Sequence, residues 1–328
     1  MTLPRESDFA TDGDPRDPHD RDRSGYSLAN NRELVFGCLE AAGAQSVVEI
    51  GSEYGAFTRE LLAWAGDRAR VIAVDPRPMP ELYELDRNSP RLELIEELSA
   101  DAIPSLPALD AYVVDGDHNY YTVTQELEAI EKVCEPAGFP LVLFHDVSWP
   151  HGRRDSYYVP ERIPAEHRQP LAHDVYLVPW AGPTEPGVGL RYDCVAAHEG
   201  GPANGVLTAI EDFIETRDGL SFARVPAFFG FAVLWPTEAD WAPGVARLVE
   251  PLHNHPVLER LEGNRVVQLI ERIHLGDKAS RVYTLEHELR PMLDSRAMAI
   301  AEKLSDLKAR GGWSPVSRER LRRALNGS

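Results

Sequence analysis

The sequence predicts an α/β chain. It reads as a doubly wound parallel sheet, with a long insertion late in the sheet and a helical C-terminal extension. Three observations predict it. The β-branched run Val47-Val48-Glu49-Ile50 meets Gly51, a second glycine follows at Gly55, and Phe57, Leu61 and Trp64 then recur at helical spacing before Gly66. That is strand, tight turn, helix and C-cap, the opening of a βαβ unit. A second apolar run, Arg70-Val71-Ile72-Ala73-Val74, ends in Asp75, 24 residues after Gly51. Further apolar runs at 111–115 and 141–144 alternate with helical periodicity, which is the pattern of a parallel sheet with crossover helices.

The other elements follow in order. Leu34, Val35, Cys38 and Leu39 predict a helix over 28–42, stopped by Gly43. Pro76, Pro78 and Pro80 break regular structure after the second strand, and a short helix is expected near Leu82. Residues 91–95 predict a third strand, and 111–115 a fourth that runs into Gly116-Asp117-His118-Asn119-Tyr120. Thr122 and Gln125 suggest a capping box, and Val123, Leu127, Ile130 and Val133 line one face of the next helix. The fifth strand, 141–144, ends in His145-Asp146-Val147.

Residues 148–203 hold eight prolines and little periodicity, so they are expected to form a lid or substrate-binding insertion. Val206, Ile210, Phe213 and Ile214 mark a helix, and 220–225 and 229–235 two strands joined by a tight turn. From Trp241 the pattern is helical, with a stripe of Leu258, Leu261, Leu269, Ile270 and Ile273, and further apolar positions at Leu285, Leu289, Leu304 and Leu307. Pro291 should start or kink a helix. The expected division is a disordered tail over 1–26, a catalytic domain over 27–237 with its lid at about 148–203, and a helical extension over 238–328 whose apolar stripes either pack on the core or, the favoured reading, serve dimerisation.

Composition narrows the partners. With 34 basic and 53 acidic residues the formal charge is −19, a poor match for nucleic acid or an anionic membrane. Cys38, Cys134 and Cys194 are far apart and odd in number, as free thiols in a reducing compartment would be. No run reaches the ~20 apolar residues of a membrane span, and the polar N-terminus lacks the pattern of a signal peptide. A cytoplasmic protein acting on a small molecule, without nucleic acid or membrane, is expected.

The glycine turn and the acid ending strand two predict a nucleoside site, the acid accepting from ribose hydroxyls. Gly-Lys-Ser/Thr is missing, so this is not a phosphate loop, and there are two glycines where a dinucleotide fingerprint has three. A NAD enzyme or another Rossmann-like protein remains the alternative. The form Glu49-x-Gly51-x-x-x-Gly55 resembles the first motif of class I S-adenosylmethionine (SAM) methyltransferases, with Asp75 in the place of their ribose-binding acid. The resemblance implies a Rossmann-like seven-stranded sheet closed by the terminal hairpin. It also implies a cofactor set of Glu49, Gly51, Ser52, Tyr54, Gly55, Asp75, Asp101 and Asp115.

Ligands of open α/β sheets sit at the carboxyl ends of the strands. Asp115, Asp117, His118, His145 and Asp146 should therefore converge, unless each merely ends a strand in solvent. Methyl transfer to oxygen needs a deprotonated, aligned hydroxyl, which a base or a divalent cation held by carboxylates supplies. Asp-Gly-Asp-His-x-Tyr after strand four and His-Asp after strand five resemble the macrocin-type and macrolide-sugar O-methyltransferases. That resemblance implies Asp115, His145 and Asp146 as metal ligands, His118 as base and Asp117 as the second candidate. His145 replaces an acid of their pattern, and histidine suits transition metals better than magnesium, so the cation is magnesium, manganese, another metal or none.

Trp149, His151, Arg153, Tyr157 and Tyr158 are expected to line the acceptor pocket, or to pack as an ordered loop. The leading function is SAM-dependent O-methylation of a sugar, polyketide or other specialised metabolite. Metal-independent N- or C-methylation and a non-catalytic nucleoside-binding role are the alternatives.

Overall fold

A computed structural model describes residues 26–179, 181–184 and 188–309. Most of the expected tail, 1–25, lies outside the described residues, as does 310–328. The described chain forms two compact units, divided after Val267. The first contains a short 3-10 turn Leu28–Asn31, then α1 (Arg32–Ala42), β1 (Ser46–Ile50), α2 (Ala56–Ala65), β2 (Arg70–Val74), α3 (Pro80–Asn88) and β3 (Leu92–Ile95). It continues through α4 (Ser99–Ala102), β4 (Ala111–Val114), α5 (Tyr120–Cys134) and β5 (Leu141–His145). Then come β6 (Leu171–Val178), β7 (Ala181–Thr184), β8 (Leu190–Ala196), α6 (Val206–Glu215), β9 (Leu220–Val225), β10 (Phe231–Pro236) and α7 (Ala242–Val249). The long helix α8 (Pro256–Asp294) and α9 (Arg296–Ala309) complete the description.

The main sheet has the order β3-β2-β1-β4-β5-β10-β9. Its first five strands run parallel, and β10 is antiparallel to both β5 and β9. The expected seven strands and closing hairpin are thus present. The order reverses between β1 and β4, the switch point at which such sheets bind ligands. Alternate residues of the buried strands face opposite layers. Val47, Val71, Val113 and Leu143 pack with α1, α2 and α7. Val48, Ile72, Tyr112 and Phe144 pack with α5 and α6. Both faces are covered, which is why these strands read as continuous apolar runs.

Gly43, left-handed at φ 65°, ends α1 as expected. The cap of α5 differs from the expected box. Asn119 is the N-cap, and its side chain accepts from the Thr122 amide, so the asparagine has taken the role given to Thr122. The 148–203 insertion is more ordered than its composition suggests. It carries a separate antiparallel sheet, β7-β6-β8, within the described residues. α7 supplies Ala242, Val245 and Val249 to the layer that holds α1, so the first compact unit runs beyond 237. Pro291 lies inside α8. Of the expected stripe, Leu258 packs on the core and Leu261 is exposed. No described helix is long and apolar enough to cross a membrane.

Candidate active site

The turn after β1 is shaped by its own backbone neighbours. Gly51 has φ 87°, and a Cβ there would lie 2.6 Å from both the Asp115 carbonyl carbon and the Gly116 Cα. Glycine is required because the end of β4 packs against the end of β1. The Asp115 amide donates to the Ile50 carbonyl (2.9 Å) and the Gly51 amide to Val74 (2.9 Å). The same contact draws Asp115 up to the turn. Gly55, at φ 74°, is the N-cap of α2.

Glu49 is 2% exposed and accepts from the Thr58 hydroxyl. Burial raises its carboxyl to about 8, against the lowering effect of the Thr58 and Ser52 hydrogen bonds. Asp75 binds two loop amides, Oδ2 accepting from Glu53 (2.8 Å) and Oδ1 from Arg77 (2.7 Å). It therefore fixes the loop after β1, and each oxygen keeps a second lone pair for a ligand. Ser52 is buried, Tyr54 half-buried, and Asp101 exposed on the first turn of α4.

At the ends of β4 and β5 the polar groups meet. His145 Nδ1 is 3.2 Å from Asp115 Oδ1 and 3.7 Å from Asp146 Oδ2, and Nε2 is 2.9 Å from the Phe228 carbonyl. A carbonyl only accepts, so Nε2 carries a proton and Nδ1 faces the two carboxylates. Asp146 is left-handed (φ 57°), a conformation aspartate tolerates better than most residues. His118 Nε2 is 3.1 Å from Asp146 Oδ2 and 3.5 Å from Asp115 Oδ1. Its ring lies 4.8 Å from that of His151, which meets Tyr192 edge-on at 5.2 Å.

The charges follow from these distances. Burial pushes Asp115 up, but His145 and His118 outweigh it and hold the carboxyl at about 2. Burial pushes His145 down, but Asp115 and then Asp146 outweigh it and raise the imidazole to about 9. His118 is also raised, Asp146 being its main opponent to burial. His151 is held well below its ordinary value by burial and by the charges of His118 and His145. Asp117 is raised, chiefly by burial.

Two overlapping trios could hold a cation, Asp115-His145-Asp146 and His118-Asp146-His151, each with ligand atoms within 4.8 Å of one another. The residues fit such a group. His151 Nδ1 is buried without a hydrogen-bond partner, and the Phe228 carbonyl fixes His145 with Nδ1 inward, as outer contacts do for metal-bound imidazoles. Mixed nitrogen and carboxylate donors suit manganese, iron or zinc better than magnesium.

The lid residues scatter. Tyr158 is 64% exposed, with its ring 6.1 Å from His118. His151 is buried inside the cluster. Trp149 and Arg153 line a separate cavity of about 430 Å³, and Arg153 is paired with Glu211 and Thr208 there. Tyr157 is buried and donates to Asp155 (2.7 Å).

Two residues were missed from sequence. Asp155, fully buried, accepts from the Tyr120 and Gly205 amides (2.7 Å each) as well as from Tyr157. Glu126, also fully buried, accepts from Ser99 (2.5 Å), and burial raises it to about 8. An acid among Val123, Leu127 and Ile130 was the available signal for Glu126. Asp155 sits in an aperiodic stretch that offered none.

Residues 48–147 match the family model described as a methyltransferase domain. The chain carries a methyltransferase domain. With the acid-tipped β2 beside the glycine turn, it is an enzyme of the class I SAM-dependent type. Among solved structures it is similar to a Klebsiella pneumoniae protein described as an O-methyltransferase, at 16% identity and TM-score 0.41 over 70% of this chain and 93% of that one. It is also similar to an S-adenosylhomocysteine-bound methyltransferase from Podospora anserina, at 14% identity and TM-score 0.39, covering 64% and 82% of the two chains. No curated protein matches the sequence.

Proposed function

We propose that the chain is a SAM-dependent O-methyltransferase acting on a hydroxyl of a small molecule, of the macrocin-type group, with a divalent cation assisting. The observation that carries this is the convergence of Asp115, His118, His145 and Asp146 beside the glycine turn. SAM supplies the electrophilic methyl, and Glu49, Gly51, Ser52, Tyr54, Gly55, Asp75, Asp101 and Asp115 frame its site. The acceptor oxygen bonds to the methyl carbon as the carbon–sulfur bond breaks, leaving a thioether, and the hydroxyl proton passes to His118. Asp146 and Asp115 stabilise the resulting imidazolium. Asp117 is the second candidate base. A cation held by Asp115, His145 and Asp146 would lower the hydroxyl pKa.

Tyr158, the exposed ring nearest His118, is the first contact for an acceptor in this reading. Of the other residues expected on the acceptor side, His151 stands in the cluster, whereas Trp149 and Arg153 line the separate cavity and Tyr157 is buried against Asp155. A sugar or polyketide acceptor, a dimer joined through the C-terminal helices and a cytoplasmic location belong to the same proposal.

The test is turnover of labelled SAM with a panel of hydroxyl acceptors, with and without EDTA and re-added manganese or magnesium. Methylation of oxygen that EDTA abolishes and a cation restores supports the proposal. EDTA-resistant transfer to nitrogen or carbon overturns it.

A further inference from the structure

Residues 228–230 join β9 to β10 through three successive left-handed positions, Phe228 (φ 51°), Phe229 (φ 64°) and Gly230 (φ 95°). Two bulky aromatics in that region cost roughly 1–2 kcal/mol each. Something must hold them there. The Phe228 and Phe229 amides point the same way, an arrangement that binds anions. The anion they bind comes from α8. Glu262 Oε2 accepts from the Phe228 amide (2.9 Å) and Oε1 from the Phe229 amide (2.8 Å).

Arg265 completes the grip. It donates to both Glu262 oxygens at 2.7 Å, and its guanidinium lies 5.3 and 4.7 Å from the Phe228 and Phe229 ring centres. The Ser148 amide donates to the Phe229 carbonyl (2.7 Å), which ties the turn to the chain just after Asp146. The Phe228 carbonyl is the acceptor for His145 Nε2.

We propose that Glu262 is a positioning residue, whose carboxylate fixes the 228–229 turn so that the Phe228 carbonyl keeps His145 aimed at Asp115 and Asp146. The path runs from the Glu262 carboxylate to the two amides, from the Phe228 carbonyl to the His145 ring, and from Nδ1 to the cluster. Every link lies within the first compact unit. The start of α8 thereby becomes part of the reaction centre's support. The inference rests on the proposed role of the cluster in methyl transfer, and the test has one arm independent of that reaction.

The test compares the full chain with Glu262→Gln and Glu262→Ala. The first arm is proton NMR of the hydrogen-bonded His145 Nε2–H, assigned by its loss in His145→Gln. This resonance should exchange slowly in the parent, weaken in Glu262→Gln, which keeps one acceptor oxygen, and vanish in Glu262→Ala. The second arm is kinetic. kcat should fall about 10–100-fold in Glu262→Ala, as for loss of an outer-shell partner, with S-adenosylhomocysteine affinity within twofold of the parent and Glu262→Gln intermediate.

An unchanged His145 resonance and a normal kcat in Glu262→Ala, even with a lowered melting point, would reduce Glu262 to an anchor for α8 and overturn the proposal. If Glu262→Ala does not fold, an unchanged resonance in Glu262→Gln overturns it as well. If the parent transfers no methyl group to any hydroxyl, the proposed function fails while the NMR arm still decides the positioning.

Discussion

His118 stands beside two carboxylates and one imidazole, and each neighbour makes its own demand on it. Asp146 and Asp115 favour its protonated form, whereas burial opposes it. If it takes the acceptor proton, His118→Ala should lower turnover by ~10²–10⁴-fold. S-adenosylhomocysteine binding, measured by calorimetry, should stay within a few fold, because Glu49 and Asp75 lie at the other strand ends. Near-normal turnover would pass the role to Asp117.

A second prediction concerns Glu126, a buried carboxyl that burial raises to about 8. Between the unfolded carboxyl pKa near 4.3 and the folded value of about 8, native Glu126 holds a proton that the unfolded chain has released. Stability then falls as pH rises through that interval. Glu126→Gln should therefore raise the melting temperature at pH 8 by a few degrees, on the order of 1 kcal/mol, and the gain should vanish by pH 4. A gain that persists at pH 4 would show that ionisation is not its source. The Asp115–His145 pair behaves differently. Its contribution is complete between about pH 4 and 6.5, and is lost as pH rises through about 9 or falls through about 2. Of this site, the sequence revealed the residue types and their strand ends. It did not reveal His151 as a member of the cluster, because an aromatic and basic run looks the same whether it lines a pocket or packs inward.

At the scale of elements, the insertion between β5 and α6 is held down at one carboxylate. Asp155 takes the Tyr120 amide at the start of α5, the Gly205 amide at the start of α6, and the Tyr157 hydroxyl. Its own amide donates to Asn204 (2.8 Å). Asp155→Ala should leave two buried amides unpaired, costing about 2–4 kcal/mol, and should speed limited proteolysis within 148–203. Unchanged cleavage would mean that the insertion is held elsewhere. The parallel strands were legible because burial on both faces makes them continuous apolar runs. β6 was not. Its residues alternate poorly, with Asp174 at φ 52° and a register shift between Tyr176 and Val178. Such irregularity removes the period-two signal that identifies a half-buried strand.

For the molecule as a whole, the decisive boundary is Val267. Deletion of everything after 237 removes Ala242, Val245 and Val249 from the layer beneath α1, along with Glu262 and Arg265. That protein should aggregate. Deletion after 267 keeps all of them and should leave a folded unit. The second unit exposes Leu275, Tyr283, Met292, Ile300 and Leu304. If these form a dimer interface, light scattering should find the parent dimeric and the 267 truncation monomeric. An unchanged oligomeric state would remove the interface role. The helical periodicity of this region was readable in sequence, but it did not show that α7 and the start of α8 pack within the first compact unit, since periodicity does not say which neighbour covers a face.

The fit between Gly51 and the backbone of residues 115 and 116 also bears on how such a site can diversify. The glycine is demanded by main-chain atoms of its neighbour, not by that neighbour's side chain. A change of side chain at position 115 therefore leaves this backbone contact intact, whereas any side chain at position 51 would wedge two strands apart. An experimenter seeking new reactivity should randomise 115, 118, 145 and 146 and leave 51 untouched. The turn after β1 would then survive each exchange of the side chains beside it.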